Sequence, residues 1–142
     1  LASAIGVELL TLRALNIDNA INYGSLAVGA NTGATNASTS VANVGNIAFD
    51  IEVQGTDLSD GSNSIIPANE QRFATSTFTY GACVTCASVS SSTPVTFALG
   101  LIKPTAPTPP VSAPIYWGIA VPLGVNSVPH QGINSFTPVL TN

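Results

Sequence analysis

Ile47-Ala48-Phe49-Asp50-Ile51-Glu52-Val53-Gln54 puts a bulky apolar side chain at every second position and a small or polar one between. Side chains of an extended chain alternate between two faces, so this octapeptide reads as a half-buried strand. Ile47, Phe49, Ile51 and Val53 face a core, and Asp50 and Glu52 point outward. The same period aligns Val95, Phe97, Leu99 and Leu101, and again Ile115, Trp117, Ile119 and Val121. Trp117 is thereby expected in the core rather than on the surface as a sugar platform. Segments 20–28, 37–43, 72–80 and 133–140 are rich in β-branched and aromatic residues and are bounded by Gly, Asn, Asp or Pro, as strands are. No segment repeats with a helical period.

Turn signals separate these segments, among them Val44-Gly45-Asn46, Ser59-Asp60-Gly61 and Pro122-Leu123-Gly124. Short strands at such spacing predict an all-β fold, an antiparallel Ig-like or jelly-roll-type β-sandwich of about seven or eight strands. Lys103 to Pro114 holds five of the ten prolines. Proline cannot donate to a central ladder, so this stretch is expected to be a stiff crossover between strands.

Residues 16–142 are expected to form that single domain, preceded by an extra strand over residues 1–15. In this segment Ile5, Val7 and Leu9 fall on one face, and Leu10, Leu12 and Ala14 on the other. A strand apolar on both faces belongs inside a sheet or between layers. It either closes its own sandwich or fills a groove in a neighbouring copy.

Only ten of the 142 residues are charged, three basic and seven acidic, while 45% are hydrophobic. The apolar fraction is enough for a core and excludes general disorder. Arg13, Arg72 and Lys103 are too few and too scattered to neutralise a phosphate backbone, so nucleic acid is not an expected partner. No apolar run reaches the length of a transmembrane helix. The chain starts at Leu1 and lacks Met, as a secreted chain does after its signal peptide is removed. Ser, Thr, Asn and Gln take the place of surface charge, which suits close packing of like copies.

Cys83-Val84-Thr85-Cys86 is the only cysteine pair. Zinc would need further ligands that the single His130 does not complete, and the helix of a thioredoxin-like site is not indicated. A disulfide closing a short loop between strands is the expected state of Cys83 and Cys86. Asp57-Leu58-Ser59-Asp60-Gly61-Ser62-Asn63 groups oxygen-bearing side chains, but without EF-hand spacing or a closing Glu it reads as a turn. His130 could pair with one of many serines, yet no nucleophile elbow marks one, and no enzyme activity, metal or cofactor is expected. Asn36-Ala37-Ser38 makes Asn36 a candidate glycosylation acceptor.

Ile21-Asn22-Tyr23-Gly24-Ser25-Leu26-Ala27-Val28-Gly29, then Val41-Ala42-Asn43-Val44-Gly45-Asn46 and Ile51-Glu52-Val53, resembles the opening of secreted sandwich domains. The layout is similar to that of camelysin/TasA-type fibre proteins. Tyr116 to Gly124 and Gly132 to Thr137 resemble their closing strands. The resemblance implies an extracellular structural subunit of a filament, pilus or surface layer, a homopolymer in which one copy's amino-terminal strand completes its neighbour's sheet. Ile5, Val7, Leu9, Leu10 and Leu12 would be the donated side chains. The alternative expectation is a monomeric secreted module that binds carbohydrate or a cell surface.

Overall fold

The computed structural model describes residues 6, 9–18, 20–105 and 110–141, and within them the chain is built from antiparallel strands. These are β1 (Leu15–Ile17), β2 (Ala37–Asn43), β3 (Phe49–Gly55), β4 (Leu58–Ser59), β5 (Ile65–Ile66), β6 (Gln71–Ala74), β7 (Ala87–Ser88), β8 (Val95–Leu101), β9 (Ser112–Ile119) and β10 (Asn134–Val139). One sheet has the order β1-β2-β9-β6-β7, a second β10-β3-β8, and β4-β5 is a separate small hairpin. The only helical pieces among the described residues are two short 3-10 turns, Ala68–Glu70 and Tyr80–Ala82. The six longer strands alternate between the two large sheets: β2, β6 and β9 lie in one, β3, β8 and β10 in the other.

The core is where those sheets face each other. Phe49, Ile51 and Val53 from β3 meet Val41 from β2, Phe73 from β6, and Ile115 and Trp117 from β9. Rings span the gap: Phe73 packs edge-on against Phe97 at 4.8 Å, and Trp117 against Phe136 at 5.9 Å. Trp117 is fully buried, and its indole N–H donates to Thr39 Oγ1 at 2.9 Å, so the one polar atom of the ring is satisfied.

Several sequence expectations are corrected. Asp50 is buried rather than outward, and its carboxylate accepts the Gly100 N–H at 2.7 Å. The β3–β8 register shifts between Phe49 and Ile51, and Gly100 adopts a φ of +59°. That bulge brings the Gly100 N–H to the Asp50 carboxylate. Ile47 is only half-buried, because it lies in the β2–β3 turn before β3 begins, where its carbonyl accepts from the Asn43 amide. Residues 75–80 leave the sheet after β6: Phe78 N–H goes to Asn36 Oδ1 and Tyr80 N–H to the Gly33 carbonyl. Segment 20–28 forms no strand, since it has no partner to pair with.

Proline enters the central strand β9 at Pro114. Ser40, its cross-strand partner in β2, sends its own N–H the other way, to Asp18. This is therefore a position where β2 and β9 exchange no hydrogen bond. On the far side, β6 pairs with β9 only from Tyr116 onward. The missing N–H of Pro114 removes no ladder bond.

The described part of residues 1–15 is also not a full strand. Only Leu15 belongs to β1, and residues 10–14 run beside the turn after β2. Val44 N–H bonds to the Ala14 carbonyl and Asn46 N–H to the Leu12 carbonyl, while the Asn46 side chain accepts from Leu12 N–H and donates to the Leu10 carbonyl. A Cβ on Gly45 would lie 2.3 Å from the Leu12 carbonyl oxygen, so only glycine allows this approach. Leu9, Leu10 and Leu12 stay 86%, 77% and 56% exposed. Ile5 and Val7 lie outside the described residues.

Candidate functional site

Three strands cannot cover the inner face of five. Beyond β10 the larger sheet is left open, and a cleft of about 1000 Å³ runs there. Segment 20–28 forms one wall, with Ile21, Tyr23, Leu26 and Val28 turned partly inward. Residues 125–134 and Phe136 form the other, and the floor includes Thr39, Gln71 and Ile119.

Gln71 decides the polarity of that floor. It is 3% exposed, and its Oε1 accepts both the Tyr23 hydroxyl and the Asn134 amide N–H, each at 3.0 Å. Burial above all, and Tyr80 secondarily, holds the Tyr23 phenol well above the ordinary tyrosine range, so it remains a donor. Two donors on the oxygen fix the amide orientation and turn Nε2 away from both. No hydrogen bond of Nε2 is found among the described residues.

The outer edge of β10 borders the same cleft. Thr56 N–H donates to the Ile133 carbonyl, so odd-numbered residues direct their backbone groups to β3. By alternation, the N–H and C=O groups of Asn134 and Phe136 face the cleft side. Pro138 stands on that same side, where its missing N–H costs the β3 ladder nothing.

The rim is stapled to the 57–66 hairpin. Asn126 N–H donates to Ser64 Oγ at 2.8 Å, and its amide donates to Asp60 at 2.9 Å. Ser59 and Gln131 exchange two backbone hydrogen bonds. His130 Nδ1 lies 2.8 Å from the Val128 carbonyl, which can only accept, so the proton sits on Nδ1. Nε2 then accepts from the Ser64 hydroxyl at 3.0 Å. This Ser–His pair has no carboxylate behind the imidazole, and Ser64 is buried at 8% exposure. Sequence reading could not single out Ser64, which lies 66 positions from its partner and in no motif.

The remaining candidates occupy separate places. Cys83 and Cys86 form a disulfide with Cα atoms 5.7 Å apart, in the loop between β6 and β7. In the Asp57–Asn63 turn, Asp57 accepts the Ala68 N–H, and Asp60 accepts from Ser62 and Asn126, so the oxygens are used within the fold. No group of ligating side chains suited to a metal occurs among the described residues. At Asn36, the candidate glycan acceptor, Nδ2 is buried and Oδ1 accepts the Phe78 N–H. No helix among the described residues is long and apolar enough to cross a membrane.

No protein-family model, curated protein or solved structure matches this chain. What the site can do follows from its geometry alone.

Proposed function

We propose that the chain is a structural subunit of an extracellular filament or surface layer, joined when the amino-terminal segment of one copy adds to the sheet of the next. The reading is non-enzymatic, and the partner is a second copy. One observation carries it: Leu9, Leu10 and Leu12 are exposed on the amino-terminal segment, and a partly apolar cleft lies open beside the edge of β10. Leu10 and Leu12 are held beside the β2–β3 turn, whereas the cleft runs from Ile17 and Asp18 to Asn134 and Phe136. The donor segment and the cleft are different surfaces of the chain, so strand addition joins unlike patches of two copies. Contacts of that kind are heterologous, and heterologous contacts whose rotation does not close form open polymers. Backbone pairing would supply continuity and apolar side chains the fit.

Light scattering with negative-stain microscopy tests this on the full chain and on one lacking residues 1–9, which retains the Asn46 contacts and β1. Filaments from the first and folded monomers from the second support strand donation. Monomers from both overturn it. They would favour a carbohydrate- or surface-binding module instead, for which the uncharged amides of Gln71 and Asn134 in the cleft are the relevant feature.

A further inference from the structure

We infer that Gln71 sets the register of the incoming strand, and that its counterpart is the Ser3 hydroxyl of a second copy. This rests on the strand-donation reading and adds what the acceptor selects. Gln71 is a buried polar residue of the cleft floor, its oxygen is occupied twice, and its NH₂ has no partner among the described residues. A strand of purely apolar inward side chains would seal that donor away from water and leave it unpaired, which is costly. The favoured occupant carries a small oxygen acceptor at one inward position and bulky apolar groups at the others.

Residues 1–9 have that pattern. Ser3, Ile5, Val7 and Leu9 share one face, and the opposite face is Ala2, Ala4, Gly6 and Glu8, small or charged. Thr11 also falls on the Ser3 face, but Leu10 and Leu12 on either side of it are tied to Asn46 of their own domain, so Thr11 stays at home. A nine-residue extended segment reaches about 30 Å, enough to lie along the cleft of the next copy. With Ser3 over Gln71, the apolar side chains Ile5, Val7 and Leu9 fall along the remaining length of the cleft. A slip of one residue would present Ala2, Ala4, Gly6 and Glu8 instead, with a carboxylate in an apolar wall.

The test is the critical concentration of assembly of the full chain, read by light scattering, for Ser3→Thr and Ser3→Val. The two variants are nearly isosteric and differ by the hydroxyl, and far-UV circular dichroism of each checks that it folds as the parent does. Ser3→Thr should assemble like the parent, and Ser3→Val should need about tenfold more protein, the cost of one buried unpaired donor. In a Gln71→Met background the order should reverse, with Val at least as good as Thr. If Gln71→Met does not fold, the Thr and Val comparison alone decides. Equal assembly of Ser3→Thr and Ser3→Val by a polymerising chain overturns the register assignment while leaving strand donation intact. A parent chain that never polymerises overturns both.

Discussion

Two stretches of the same pair of strands behave in opposite ways. At Phe73 and Trp117, β6 and β9 are roofed by Phe97 and Phe136, and both Phe73 and Trp117 are fully buried. Two residues along, Gln71 and its partner Ile119 line the cleft instead. The sealed stretch is lined by rings and needs no polar partner beyond Thr39 on the indole. The open stretch is organised by hydrogen bonds that converge on one amide oxygen. Stability should therefore reside in the first and selectivity in the second, because packing area stabilises without direction whereas a buried donor demands a specific complement.

Substitutions can break this contrast, starting from its stronger side. Trp117→Ala should destabilise the fold by about 3–5 kcal/mol in urea or guanidinium unfolding, as loss of a fully buried ring does. A loss below about 1 kcal/mol would mean that the ring cluster is not the seat of stability. Replacing Cys83 and Cys86 together by Ser should cost at most about 2 kcal/mol in the same assay, since so short a loop restricts the unfolded chain little. Tyr23→Phe should cost about 1 kcal/mol, the worth of one hydrogen bond to Gln71, with the ring retained. If Tyr23→Phe rivals Trp117→Ala, the cleft floor is as structural as the core.

The smallest effect is expected at the rim and depends on pH. Hydrogen bonds from the Asn126 amide and from Ser62 hold the Asp60 carboxyl below its ordinary range. A depressed folded-state pKa contributes stability above the unfolded value, near pH 4, and loses it as pH falls through the folded value. The gap in Tm between the parent and Asp60→Asn should thus be present at pH 6 and shrink as the pH is lowered below about 4. A gap that stays constant over that range would remove Asp60 as the electrostatic staple of the rim.

How legible these regions were in the sequence follows from how local their causes are. β3 could be read directly, because Phe49, Ile51 and Val53 alternate within one strand and both neighbours confirm the same face. Asp50 could not, since its burial is caused by a bulge in β8, fifty residues away. Segment 20–28 has strand-like composition and even strand-like alternation of exposure, but a strand exists only with a partner, and β10 is not brought against it. The disulfide was legible from spacing and composition. The cleft was not, because Tyr23, Gln71, Asn134 and the Ser64–His130 pair meet only after the strands have crossed between sheets.

That crossing also governs how the chain reaches its fold. With β2, β3, β6, β8, β9 and β10 alternating between two sheets, no two successive long strands form a hairpin. The short β4–β5 and β6–β7 pairs are local, but loops must close before the first long ladder forms. Folding should be slow, on the order of milliseconds to seconds. Throughout that interval the edges of both sheets and the apolar leading segment are exposed to other chains, so refolding yield should fall as protein concentration rises.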